Sequence, residues 1–284
     1  MKASNNDFIN VEDIIATKNP KLLKILPSFI LKYLKRIVHQ DFVNDFIRKN
    51  GHKNSFEFAD AIIHDFGPIA TFSGIENIPE NGGAIIASNH PLGGIDAIAL
   101  IQAVGTKRKD VKFIVNDILL SIKNFEKEFV GVNKHGKNPV STLDLIDKQY
   151  NSDQLVLIFP AGMVSRKQNK GVIKDLEWKK SFVVKSKKFE RNVIPVHITG
   201  ENTSFFYNLS RIRTSLGIKA NIEMLYLMDE MYHQKGKKIH ITFGKPITPA
   251  QFDDSKSEFE WAQYVKEFIY QNNTKLSEAN FNGD

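Results

Sequence analysis

The sequence predicts an α/β fold preceded by an N-terminal helical segment, and three observations predict it. From Gly67-Pro68 onward, short apolar runs alternate with longer stretches of helical periodicity, as in a succession of strands and helices. Before that point apolar residues recur only at helical spacing. Over 284 residues, a 42% hydrophobic share is enough for a real core in one large domain or two modest ones. The expected organisation is a helical, membrane-facing segment over 1–66, an α/β domain over 67–250, and a C-terminal helix and tail over 251–284.

Within the first segment, Lys18, Lys21, Lys24, Lys32, Lys35 and Arg36 form a run without an acidic residue, interleaved with Leu22, Ile25, Phe29, Ile30 and Tyr33. After the break at Pro27, Phe29, Ile30, Tyr33 and Ile37 share one helical face and the basic residues lie off it. That arrangement suits a helix lying among anionic headgroups, and suits equally an amphipathic helix packed on its own domain. Helices are also expected over Gln40–Asn50, before Gly51, and over Phe56–Phe66, opened by Ser55 with Glu57 and closed by Gly67-Pro68. In the α/β part the expected strands are Ile69–Phe72, Ala84–Ala87, Val111–Val115, Val130–Val132, Leu155–Phe159, Val193–His197 and Ile239–Phe243. The expected helices are Ile95–Val104, Ser141–Gln149, Leu176–Lys187, Ser204–Leu216, Asn221–Gln234 and Ser257–Gln271.

Composition closes off several functions. Without cysteine there is no disulfide, thiolate metal site or Cys nucleophile. The polar, acidic start gives no secretory signal, and the most apolar windows are broken by Pro, Gly, His and Asp, so no membrane-spanning segment is expected. Basic residues number 39 against 32 acidic, and the net +7 invites an anionic partner. Nucleic acid is not expected, because the aromatic residues fall at core positions rather than on a stacking platform. His197 and His240 lie on expected strands and read as core or supporting residues; His39, His52, His64, His135 and His233 read as surface positions.

Two stretches carry chemistry. Asn89-His90-Pro91-Leu92-Gly93-Gly94-Ile95-Asp96 joins a strand to a helix, with His90 and Asp96 at opposite ends of one Pro/Gly-rich loop. A carboxylate folded back onto one imidazole nitrogen leaves the other free to take a proton. A solvated His with a helix-capping Asp would have the same sequence. The second stretch, Pro160-Ala161-Gly162-Met163-Val164-Ser165-Arg166-Lys167, follows a buried strand, where α/β sheets assemble sites. Gly162 permits close backbone approach, and Ser165 and Arg166 supply a hydroxyl and a forked cation for phosphate or carboxylate. Lys167 and Lys170 add positive potential.

Taken in order, Ser88-Asn89-His90 with Asp96, Phe159-Pro160-Ala161-Gly162 with Ser165-Arg166, and Val193-Ile194-Pro195-Val196 resemble the glycerolipid (lysophospholipid) acyltransferase family over about residues 67–248. Between them, Phe129-Val130-Gly131-Val132-Asn133-Lys134 is similar to that family's acceptor-binding block. Five residues rather than four separate His90 from Asp96, an addition that Gly93-Gly94 can absorb, and Ala161 stands where the family carries Glu. Both departures resemble a bacterial branch labelled haemolysin or aminoacyl-lipid O-acyltransferase, as do Phe205-Phe206-Tyr207 to Arg211-Ile212-Arg213 and the run Gly236 to Ile247.

The resemblance implies a mixed central sheet flanked by helices and transfer of a fatty acyl group from an acyl-CoA or acyl-carrier-protein thioester to the hydroxyl of a lysolipid-type acceptor. The acceptor would be a lysophospholipid or a monoacylated amino-acid lipid. His90 would be the base and Asp96 its orienting carboxylate. Asn89, Gly93, Gly94, Asn133, Lys134, Gly162, Ser165 and Arg166 would bind substrate, with Arg166 first and Lys134 second on an anionic group. Amides of Gly93-Gly94 or near Gly162 would hold the oxyanion. No metal is implied, since His90 has no partner at ligand spacing, and no cofactor beyond the acyl donor. The expected location is cytoplasmic, on the inner face of the membrane. Two other readings stay open: a non-catalytic lipid-binding relative, and a serine hydrolase using Ser88 or Ser165 outside a Gly-x-Ser-x-Gly elbow.

Overall fold

A computed structural model of the chain describes residues 9–132, 140–168 and 171–281. Its centre is a seven-stranded sheet in the order β1-β9-β8-β2-β5-β3-β4, formed by β1 (Ile69–Ser73), β2 (Ala84–Ser88), β3 (Val111–Asn116), β4 (Phe129–Val132), β5 (Leu155–Ile158), β8 (Asn192–Ile198) and β9 (Lys238–Phe243). All pairings are parallel except β8 with β9, so the sheet is mixed. Each of the seven expected strands is present. A hairpin that periodicity did not suggest, β6 (Arg166–Lys167) with β7 (Ile173–Lys174), lies outside this sheet.

Central strands are apolar at every position because both faces are covered. Alternate residues divide between two cores. Ile86, Leu157 and Ile194 join Phe58 and Ile62 of α5 (Ser55–Phe66) and Leu100, Ile101 and Val104 of α6 (Gly94–Gly105). On the other face Ile85, Val156 and Val193 join Ile146 of α7 (Val140–Tyr150), Phe182 and Val183 of α8 (Ser181–Phe189), and Trp261, Val265 and Ile269 of α11 (Glu258–Asn272). His197 is buried on β8, and burial pushes it down to about 4, so it is neutral at ordinary pH.

Before the sheet come α1 (Val11–Lys18), α2 (Pro20–Ile25), α3 (Ser28–Ile37) and α4 (Gln40–Asn50). Asn19 ends α1 and, by accepting from the Leu22 amide, caps α2 with Pro20 in its first turn. Pro27 separates α2 from α3. For α5 the cap is Asn54 rather than Ser55, because Asn54 and Glu57 form a reciprocal capping box. His39, expected at the surface, is half-buried with its Nε2 2.9 Å from Asp229 and its ring stacked on Tyr232.

Two expected helices differ, the first because of tertiary contacts. Residues 176–180 are not helical: the Gln263 side chain accepts from the Trp178 amide and donates to its carbonyl, while the Lys179 amide donates to Pro160 O. The helix there starts only at Ser181. The expected Asn221–Gln234 helix is instead a 3₁₀ turn over Ile222–Tyr226 running into α10 (Leu227–Tyr232). Together with α9 (Ser204–Ser215), these elements make a helical insertion between β8 and β9.

Candidate active site

The parallel strands β2, β5 and β8 end side by side at Ser88, Ile158 and Ile198, and the loops that follow them meet there. The loop after β2 is locked to β8 by Asn89, whose Oδ1 accepts from the Ile198 amide at 2.7 Å and whose Nδ2 donates to Ile198 O at 2.9 Å. One side chain thus carries the β2–β8 pairing a step past the sheet and fixes where His90 begins.

Gly93 turns the loop, with φ 94 and ψ −123, and a Cβ there would lie 2.9 Å from Leu227 Cδ2. That turn brings Asp96, at N3 of α6, back under the loop it follows. Its Oδ2 accepts from the amides of Leu92 (2.7 Å) and Gly93 (3.2 Å), and its Oδ1 accepts from Ala97 N (2.7 Å). The carboxylate is wholly buried and lies 3.1 and 3.2 Å from His90 Nδ1. Held by three N–H donors, it acts as acceptor, so Nδ1 carries the proton and donates it. Nε2 is then the bare nitrogen, on a side chain 17% exposed, and among the described residues no protein group bonds it. The imidazole lies flat on Phe159, with centroids 4.0 Å apart, so its plane is set by packing as well as by Asp96.

A second buried carboxylate holds the loop from the other side. Asp175 Oδ1 accepts from the His90 amide (3.2 Å) and from Ser165 Oγ (2.6 Å), and its Oδ2 accepts from Trp178 Nε1 (2.8 Å). The Ser165 amide in turn donates to His90 O at 2.8 Å. Burial pushes the Asp175 carboxyl above its ordinary range, although the Ser165 and Trp178 donors and the nearby imidazole oppose that shift. Sequence reasoning missed Asp175, which stands outside both motif stretches, just before an expected helix that begins only at Ser181.

Residues 13–278 match a family model described as Acyltransferase. The chain belongs to this acyltransferase family. Among its relatives, the lyso-glycine lipid O-acyltransferase of Bacteroides thetaiotaomicron is 44% identical over 264 residues, covering 93% of this chain and 97% of that protein. The enzyme of the same name from Phocaeicola vulgatus is 42% identical, covering 93% and 94%. In a solved structure, the 1-acyl-sn-glycerophosphate acyltransferase of Thermotoga maritima is similar over 95% of each chain at 18% identity, with a TM-score of 0.48.

In this acyltransferase the structure brings together Asn89, His90, Gly93, Asp96, Ser165 and Asp175. Asn133 and Lys134 lie outside the described residues. Arg166 is placed differently from a free anion-binding fork. Its Nη1 donates to Val164 O (2.6 Å), its Nη2 donates to Glu223 Oε1 (3.0 Å), and its guanidinium stacks over Phe206. Glu223 is wholly buried and also pairs with Arg213. Arg166 therefore ties the hairpin to the helical insertion, and removing one partner of such a buried pair costs about 3–5 kcal/mol. The Gly93 amide is taken by Asp96 and the Gly162 amide by Phe159 O, which leaves Gly94, exposed at the head of α6, as the remaining oxyanion candidate among the three glycines. Neither serine partners the imidazole: Ser88 Oγ donates to Asn89 O, and Ser165 Oγ donates to Asp175.

Two outcomes are expected. His90→Ala and Asp96→Asn each lower turnover on the order of 10²–10⁴-fold in a steady-state assay, with the His90→Ala protein keeping its urea midpoint. Asp175→Asn sets an amide donor against one of the three donors it now accepts, so urea denaturation shows a loss of about 1–3 kcal/mol. Its kcat falls more than its KM rises, because the fault lies in where His90 is held.

Proposed function

We propose that this acyltransferase moves a fatty acyl group from an acyl-CoA or acyl-carrier-protein thioester to the hydroxyl of a lyso-glycine lipid, a glycine lipid lacking one acyl chain. The observation that carries the acceptor is identity of 44% and 42%, across almost the whole chain, to two enzymes bearing that name. Ala161 at the family's Glu position agrees with an acceptor other than lysophosphatidate.

In the proposed reaction His90 Nε2 takes the proton from the acceptor hydroxyl as its oxygen attacks the thioester carbonyl. A C–O bond forms and the carbonyl electrons move onto oxygen, where backbone amides, with Gly94 the candidate, stabilise the charge. Collapse breaks the C–S bond, and the thiolate leaves with the proton returned by His90. Asp96 orients the imidazole and stabilises the transient imidazolium. The ester and the free thiol are the products, and no acyl-enzyme is required.

We place the enzyme at an anionic membrane surface on the cytoplasmic side. No described helix is long and apolar enough to cross a membrane. Supporting attachment, Ile25 and Phe29 of α2 and α3 are 75% and 69% exposed beside Lys24 and Lys32.

The test is to incubate purified protein with labelled acyl-CoA or acyl-carrier protein and a panel of lyso-glycine lipid and lysophospholipids, and to identify products by mass spectrometry. The expected product is the fully acylated glycine lipid. Acylation of lysophospholipids alone would overturn the acceptor, and release of free fatty acid without a new ester would favour the hydrolase.

A further inference from the structure

The helical insertion between β8 and β9 has two apolar sides. Its inner side presses on the catalytic loop. Phe206 and Tyr207 pack with Val164, and Leu227 and Met231 lie where a Cβ on Gly93 or Gly94 would meet them at 2.9 and 3.0 Å. Asn202 Nδ2 also donates to Pro91 O at 3.3 Å.

The outer side is apolar and, among the described residues, largely left to solvent. Along α9, Phe205, Leu209, Ile212 and Leu216 follow at steps of four, three and four, one stripe of a helix, while Phe206, Tyr207 and Ser210 point inward. In that stripe Phe205, Ile212 and Leu216 are 53%, 58% and 68% exposed, and Ile218 and Leu225 beyond it are exposed too. A contiguous apolar stripe left in solvent marks an interaction surface.

This stripe continues the exposed row of α3. Phe29 and Tyr33 are one helical turn apart; the Tyr33 and Tyr226 hydroxyls are 2.6 Å apart, and the Tyr226 ring lies 4.9 Å from that of Phe205. Its charge is of one sign. Residues 202–222 include Arg211, Arg213 and Lys219 and no acidic side chain; Arg213 turns to Glu223, and Arg211 and Lys219 are exposed.

We infer that the outer face of α9, with the turn that follows it, is a second docking surface for an anionic lipid bilayer, continuous with that of α2 and α3. This rests on the membrane attachment proposed above and extends it to a different element. Charge selects the bilayer over a second copy of the chain. Two copies joined here would set Arg211 and Lys219 against the same cations, whereas anionic headgroups supply the opposite sign. The apolar stripe then enters the acyl boundary while its inner neighbours touch the His90 loop, so an acceptor lipid reaches the base from the layer the insertion rests on.

The test compares the full chain with an Ile212→Glu/Leu216→Glu variant and a Phe29→Glu variant, all checked by circular dichroism. Measurements are sedimentation with phosphatidylglycerol/phosphatidylcholine vesicles, mass in solution, and turnover of a short-chain, water-dispersed lyso-glycine lipid. We expect the double variant to lose about tenfold or more in vesicle partition and to keep its turnover of the dispersed substrate. Undiminished partition of the double variant overturns the inference, as does a wild-type dimer that the double variant dissolves. Wild-type protein that ignores vesicles overturns this inference and the attachment of α3 together. Loss of partition in the double variant but not in Phe29→Glu supports α9 and removes α3. Failure of wild type to acylate the dispersed substrate strikes the proposed reaction, while the vesicle result still decides the surface.

Discussion

The structure of the site depends on one buried carboxylate. Asp96 is removed from water entirely, a costly placement unless its lone pairs are occupied, and the Leu92, Gly93 and Ala97 amides occupy them. The same hydrogen bonds that stabilise the ion shape the loop, because two of the three amides belong to the turn that carries His90. Loop geometry and imidazole orientation are therefore one property. Phe159 beneath the ring and Asp175 behind the His90 amide fix the remaining freedom. An imidazole preorganised in this way would need no rearrangement to serve as the proposed base.

Around that centre the sheet supplies rigidity and the insertion supplies a cover. Strands β2, β5 and β8 are buried on both faces, so their ends are poor places for motion and good places for chemistry. The insertion between β8 and β9 is attached by polar anchors, Arg166 with Glu223 and Asn202 with Pro91 O, and Thr203 with Glu230 ties its own two helices together. Its apolar contacts fall on the two glycines of the catalytic loop, where a side chain would meet Leu227 or Met231. Gly93 is thus required by its turn, and at both glycines a side chain would have to displace Leu227 or Met231.

Much of this was legible from the sequence, and the exceptions share a cause. All seven main strands followed from apolar runs, since a strand buried on both faces has little choice of residue. His90 and Asp96 were legible because a short loop has few ways to place its two ends. What could not be read is the partner of a side chain when that partner is far along the chain. Arg166 looked like a free cation because Glu223, 57 residues away, is brought to it only by the fold. Asp175 gave no signal because its link to the His90 amide, 85 residues away, is made only by the fold. Asn89 looked like a substrate ligand, and its amide is instead engaged by Ile198 across the sheet.

The central claim is that Asp96 holds His90 with its proton on Nδ1 and leaves Nε2 bare. It is tested most directly by nitrogen NMR of histidine-labelled protein in alkaline buffer, where imidazoles are neutral, with His90 assigned by the signals lost in His90→Ala. The prediction is a protonated Nδ1 and an unprotonated Nε2 in wild type, with that preference weakened in Asp96→Asn. A wild-type imidazole carrying its proton on Nε2 would contradict the account, because the nitrogen facing the acceptor could then not serve as the base.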